Sequence, residues 1–481
     1  MRDRSPLIFL ITTALVLLLF YLLLRHFNYQ IAGIDIRFVQ FDDHANGPLS
    51  RSGEVVVLGD TLHVAGSSSE RDKLKRYAET PDEKLPQYLD SLKRLSTLPI
   101  TDSLIRESPF LINLPINGVY PLDGFFKALE SAQSNEGVVR ACHYGDSQIE
   151  GDRMTYTIRA LFQERFGGIG NGFIPMDDVT QPMGYVRWVT PGWQRFTVAQ
   201  NVMQNNGYGP GGCAFTYFAD SVVPSVTVQF FANYNTLNLA YGQGKPGAMV
   251  RSYDAVSGRL IKEASLNGEG LFNMIQVSGG GFYGKIRLVF SGPSPVIYGM
   301  WADGNRGFQM DNYGLRGQSG DGILRIQPDR LHSMYASLKM KLALVQFGGN
   351  VMPVMSDTGE VKSFCNLYRQ VYLHIQKAMD QGSTLVIGVN DLSRSVGGSF
   401  KSYSFISDMR YYQRKHAVEN GLAFFDLYQF MGGKESIRYW SEAGLASKEG
   451  HFSDEGRQIV SVEIFKALLF EYEEYKKRKS A

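Results

Sequence analysis

His143-Tyr144-Gly145-Asp146-Ser147-Gln148 is the stretch on which the reading of this 481-residue chain turns. The apolar run Val138-Val139-Arg140-Ala141-Cys142 precedes it, and Ile149 to Phe166 follows with a helical pattern. A Gly-Asp-Ser between a strand and a helix sets a serine hydroxyl at the carboxyl end of a sheet, where open α/β folds place their sites. The glycine permits the tight turn, and a helix start offers backbone N–H groups to a developing oxyanion. On these residues alone, Ser147 reads equally well as a helix N-cap.

The rest of the chain supplies what serine chemistry needs: a base, an oxyanion hole and usually an acid. Near the C-terminus stands Gly450-His451-Phe452-Ser453-Asp454-Glu455-Gly456, before the helical pattern Ile459 to Tyr475. Between the two lie Asn312-Tyr313-Gly314-Leu315-Arg316-Gly317 and, after the strand-like Leu342 to Phe347, Gly348-Gly349-Asn350. A serine, a glycine, an asparagine and a histidine in that order, each at the edge of a strand or helix, resemble the SGNH (GDSL-type) hydrolase family from about Gly137 to the C-terminus. The resemblance implies Ser147 as nucleophile and His451 as base. It implies an oxyanion hole built from the N–H groups of Ser147 and Gly317 and the side-chain amide of Asn350. Gly320, in Gln318-Ser319-Gly320-Asp321, fits the local spacing as well as Gly317 does.

One position departs from the family. Its usual pattern has an aspartate three residues before the histidine; here that residue is Lys448, with Glu449 two before. A lysine cannot accept the imidazole N–H. Three readings stay open: Glu449 holds the ring, a backbone carbonyl does, or an acid from another loop does. Asp391, after the strand-like Thr384 to Val389, is such an acid, although it reads first as an exposed loop aspartate. A Ser-His dyad is a further reading.

Composition narrows the class. Lys+Arg 49 against Asp+Glu 47 leaves a charge balance that points to no nucleic acid. Three scattered cysteines, Cys142, Cys213 and Cys365, show neither metal-ligand spacing nor a disulfide framework, so no cofactor or metal is expected. Leu7 to Leu24 is apolar and uncharged, flanked by Arg2, Arg4 and Arg25, and approaches a bilayer span. No small-residue cleavage site follows it, which favours an uncleaved anchor over a signal peptide. The expected localisation is therefore a single pass with the catalytic body outside the cytoplasmic membrane, in the periplasm if the cell has two membranes.

The domain reading follows: residues 1–28 anchor, 29–125 a membrane-proximal spacer with short strands and the polar helical stretch Ser67 to Leu98, 126–175 the first hydrolase segment, 176–310 an insertion, and 311–481 the second hydrolase segment. The insertion carries alternating runs such as Ser225 to Phe231, Leu237 to Tyr241, Gly247 to Tyr253 and Lys285 to Phe290, punctuated by glycine and asparagine. Short strands at this spacing predict an antiparallel β-sandwich. The expected fold class is an α/β, three-layer SGNH hydrolase interrupted by that sandwich. Such an insertion resembles the peptidoglycan O-acetylesterases and related envelope O-acetyl enzymes, with Val296 to Trp301 running into Asn312 to Gly317 matching their return to the α/β core. The resemblance implies a serine esterase acting on an acetylated envelope glycan. A transferase of similar architecture, working with a membrane acyltransferase, and a noncatalytic glycan-binding protein are the alternatives.

Overall fold

The computed structural model describes Tyr29–Ile31, Ile34–Ile36 and residues 81–480, apart from short stretches at 102–103, 106–110, 117, 135–136, 204, 219–221 and 280–283. Tyr29–Ile31 and Ile34–Ile36 pair as an antiparallel hairpin. The apolar run Leu7 to Leu24 and the strand reading of Glu54 to Val64 lie outside the described residues. Among the described residues no helix is long and apolar enough to cross a membrane.

Five parallel strands form the central sheet, in the spatial order Gly307–Gly314, Val138–Gly145, Met340–Gln346, Ser383–Ile387, Ala423–Phe425. Met340–Gln346, Ser383–Ile387 and Ala423–Phe425 are mostly apolar and buried because both faces of the sheet are covered, as parallel sheets require. Alternation along each strand shows it: Leu342 and Leu344 pack with one set of helices, Ala343 and Val345 with the other. The first set comprises Pro81–Ser96, Asp123–Ser134, Arg153–Phe166 and Asp454–Ser480; the second comprises Pro328–Leu338, Thr358–Lys377 and Ile406–Glu419. The Val138–Gly145 strand comes first in the chain yet lies between its second and third sheet partners. The loop after it therefore opens at the topological switch point, where open α/β sheets bind ligands.

Between the first and second core strands the chain builds two antiparallel sheets. One runs Leu260–Ser265, Met249–Asp254, Lys285–Ser291, Ser225–Phe230, Tyr185–Val189. The other contains Asn273–Gly279, Thr236–Tyr241, Ile297–Asp303, Cys213–Tyr217 and Trp193–Thr197, with Gly172–Ile174 also paired to Ile297–Asp303. Phe290 of the first sheet meets Trp193 and Tyr217 of the second at ring-centroid distances of 5.1 and 5.4 Å. The sandwich core thus forms where the inward residues of alternating strands meet.

Ile297–Asp303 is the closing strand of the sandwich, paired with Thr236–Tyr241, inside the insertion expected over 176–310, and the α/β core resumes with Gly307–Gly314. Two sequence expectations change. Pro81–Ser96 is no outlying spacer: Leu85, Tyr88, Leu89 and Leu92 are buried, and Lys93 Nζ donates to Ala443 O at 3.0 Å. Its apolar stripe is half of an interface with the hydrolase body. The helix after Ser147 starts later than its pattern implies. Glu150–Asp152 is a short tight turn with Asp152 at φ 66°, and the helix proper is Arg153–Phe166. Its free N–H groups therefore lie beyond the turn rather than at Ser147.

The sandwich joins the sheet through buried charge. Arg140, on the first core strand, donates to Asp303 Oδ2 and Asp311 Oδ1, both at 2.6 Å. Asp311 Oδ2 also accepts from Trp301 Nε1 at 2.9 Å and Tyr313 Oη at 2.8 Å. A buried guanidinium is tolerated because two carboxylates and a carbonyl, Leu338 O at 3.0 Å, satisfy its donors.

Candidate active site

Ser147 follows the Val138–Gly145 strand directly, and its Oγ lies 2.8 Å from His451 Nε2. The chain brings together residues 304 positions apart, because the C-terminal loop folds over the carboxyl edge of the sheet. Gly450 makes that approach possible. It has φ 112°, and a Cβ there would run into the Leu392 side chain and lie 3.1 Å from Asp391 O. Its carbonyl accepts from Gln148 Nε2 at 2.6 Å and Asn390 Nδ2 at 2.9 Å, while Gln148 Oε1 accepts from Phe452 N at 3.3 Å. Gln148 thus holds the histidine loop from both sides of His451. It stood inside the opening motif, but nothing in a lone glutamine signals such a role.

The ring's other nitrogen is different. Among the described residues no hydrogen bond or ion pair reaches His451 from Glu449, and none reaches its Nδ1. Glu449 is exposed and lines the same cleft, so it acts on the imidazole as a nearby charge and not as a hydrogen-bond acceptor. The expectation that it orients the ring is not met in this geometry. Lys448 does not turn to the imidazole either; its Nζ lies 5.4 Å from the Phe400 ring centroid. Asp391 is neither exposed nor at the histidine. It is fully buried, with Oδ2 accepting from Ser402 Oγ at 2.9 Å and from Ile437 N at 3.0 Å in the first turn of Ser436–Glu442. Burial pushes its carboxyl up to about 6 against those bonds.

Desolvation and the Arg153 charge lower the His451 pKa below its ordinary value, with Arg316 in the same direction; Glu150 and Glu449 oppose them. A lowered pKa keeps the imidazole neutral at neutral pH, the form that accepts a proton. Arg153 also donates to Ser147 O at 2.8 Å. Buried Glu150 accepts two bonds from Arg316 Nε at 3.0 Å each and lies 3.6 Å from Arg153, so one carboxylate ties both arginines to the site.

Asn350 is the second residue of the short turn Gly349–Val354 that follows the strand Met340–Gln346. Its Nδ2 donates to Asp146 Oδ2 at 3.1 Å and to Gln318 O at 2.9 Å. Asp146 Oδ1 accepts from Gln148 N at 3.0 Å, and burial raises its carboxyl to about 6. Gly317 precedes the residue whose carbonyl Asn350 contacts. Both candidate glycines have a positive φ, 72° at Gly317 and 100° at Gly320; Gly317 has open space around it, whereas a Cβ on Gly320 would also come within 2.8 Å of Phe347. Beneath the site, His143 is buried between Thr155 and Gln346 at 3.1 and 3.2 Å. Its pKa is pushed down to about 3 by burial, so it stays neutral.

A cleft of about 420 Å³ opens above Ser147 and His451, within the range of roughly 300–1,000 Å³ usual for small-ligand sites. Asn350 and Glu449 line it, as does the hairpin Ser393–Val396 with Ser399–Ser402, which the sequence reading did not single out. Two adjacent glycines, Gly397 and Gly398 at φ 57° and 82°, form its turn. Among the described residues no group of three or more His, Cys, Asp or Glu side chains is arranged to hold a metal.

With this geometry in hand, the comparisons with known proteins fall into place. A solved structure of a peptidoglycan O-acetylesterase matches 73% of this chain and 97% of its own, at 20% identity and a TM-score of 0.60. The chain shares that fold. A family two carbohydrate esterase from Cellvibrio japonicus (8% identity, 60% of this chain and 98% of its own, TM-score 0.24) and a salicylyl-acyltransferase from a tetracycline biosynthetic pathway (10%, 60%, 94%, 0.26) align too weakly to support an argument. No family model and no curated protein matches.

Proposed function

We propose that the protein is a serine esterase that removes O-acetyl groups from a cell-envelope glycan. The observation that carries this is the 2.8 Å contact of Ser147 Oγ with His451 Nε2 at the switch point of a parallel sheet; the fold shared with a peptidoglycan O-acetylesterase supports the substrate class. In this reading Ser147 Oγ attacks the acetyl carbonyl and His451 Nε2 takes its proton. The sugar oxygen leaves with that proton, and water, activated by the same imidazole, releases acetate and restores Ser147. The oxyanion donors are the N–H groups of Ser147 and Gly317 and the amide of Asn350, whose bond to Asp146 or Gln318 O gives way to the oxyanion. Leu7 to Leu24 is proposed to hold this body at the outer side of the cytoplasmic membrane.

Turnover of 4-nitrophenyl acetate and acetate release from acetylated glycans by the full-length chain test the reading. Ser147→Ala is expected to lose about 1000-fold or more in turnover. Wild-type rates in that variant would overturn it.

A further inference from the structure

The hairpin Ser393–Ser402 carries two cations, and the Glu435 carboxylate reaches it only at Ser402 N. Arg394 and Lys401 stand directly opposite each other in its register, and like charges so placed repel. Lys448 approaches the same hairpin across Phe400, with Nζ 5.4 Å from that ring centroid. All three side chains belong to exposed residues, and among the described residues none has a carboxylate within ion-pair distance. Arg394 lies over Tyr403, with Cζ 5.5 Å from the ring centroid. Arg394, Phe400 and Tyr403 line the same cleft as Ser147 and His451. Near His451, Arg153 and Arg316 share the single carboxylate of Glu150. Only Glu449 among the lining residues is an exposed acid. Arg394 is the fixed cation among the lining residues, and Lys401 and Lys448 stand beside it at the hairpin.

We infer that the hairpin is an anion subsite, and that the acyl ester cleaved at Ser147 sits on a carboxylate-bearing glycan, with the carboxylate of the esterified sugar or its neighbour held by Arg394 and Lys448. This rests on the esterase reading above. A guanidinium backed by an aromatic face suits a sugar carboxylate: the fork binds the two oxygens while Phe400 and Tyr403 offer flat apolar surface to the ring. It also accounts for Lys448. At the position where the family places an orienting acid, this chain has a cation set against Phe400, a residue of the cleft wall.

The test compares kcat/KM of the full-length chain, in mild detergent, on acetylated polygalacturonate, acetylated xylan and 4-nitrophenyl acetate. The acidic polymer is expected to be preferred over the neutral one, more so at low salt. Arg394→Gln and Lys448→Gln should each lower the ratio of polygalacturonate to 4-nitrophenyl acetate activity about tenfold, mainly through KM, as loss of a charge-assisted hydrogen bond predicts. Equal activity on the two polymers, cleavage of the small ester alone, or variants that lower both polymers equally would overturn the inference and leave the esterase reading standing. Absence of small-ester cleavage would defeat the esterase reading itself. Melting temperatures matching wild type confirm that exposed substitutions at the hairpin leave the fold intact.

Discussion

Asn350 Nδ2 and Asp146 Oδ2 are hydrogen-bonded at 3.1 Å, so the amide assigned to an oxyanion is already aimed by a carboxylate next to the nucleophile. With Gln318 O as its second acceptor, both amide hydrogens are taken, so one of these two bonds must give way before the amide can donate to an oxyanion. Asn350→Ala is expected to lower kcat about 100- to 1000-fold with little change in KM, the pattern of a donor that acts in the transition state alone. Steady-state kinetics on a small acetyl ester measure it, and an unchanged kcat would remove Asn350 from the site.

Gln148 grips the histidine loop through Gly450 O and Phe452 N. Gln148→Ala leaves one carbonyl partner, Asn390, and frees Phe452 N. Loss of two such bonds costs about 1–3 kcal/mol locally, and the expected result is a lower kcat with the His451 pKa intact. A variant with wild-type kcat would show that the loop is held elsewhere.

Glu449 raises the His451 pKa by its charge and makes no hydrogen bond to the ring. A histidine base works when neutral, so kcat/KM should rise with pH through an apparent pKa below the ordinary 6.5 and then level off. Glu449→Gln removes an influence that holds the proton on. The inflection should move to lower pH, while the alkaline plateau stays within about twofold of wild type. A plateau lowered by orders of magnitude would instead mark Glu449 as the group that fixes the tautomer.

Asp391 has its carboxyl pushed up from 3.8 to about 6 by burial. The folded protein keeps a proton that the unfolded chain releases between those values. Its contribution to stability is therefore present below the unfolded pKa and lost as pH rises through the folded one. Asp391→Asn keeps an acceptor for Ser402 and Ile437 and removes the charge. Its melting temperature should exceed wild type at about pH 7.5 and converge on it near pH 4, by an amount on the order of 1–3 kcal/mol at the higher pH. Thermal melts across that range decide it; a variant less stable at both ends would show that the ionised carboxylate is needed.

The strand–turn–helix at Gly145–Ser147 and the sandwich strands were legible because period and punctuation are local properties. Ser225–Phe230 and Lys285–Ser291 follow their alternation closely. The pairing of Ser147 with His451 was legible as an order of blocks, but the grip of Gln148 and the place of Asp391 depend on loops that meet only in space. Pro81–Ser96 failed as a spacer because its charged face is conspicuous in sequence, whereas its buried stripe has meaning only against the C-terminal helix.

Arg140 connects the last strand of the insertion, through Asp303, with two neighbouring core strands. A domain joined by flexible linkers can be cut out or exchanged; one whose closing strand neutralises a charge inside its host cannot. Deleting the sandwich would strand a guanidinium with half its counter-charge gone in the interior, a defect of about 3–5 kcal/mol. Mutual dependence of this kind predicts a single melting transition for the two folds, and leaves the outer loops of the sandwich far freer to vary than the seam beneath it.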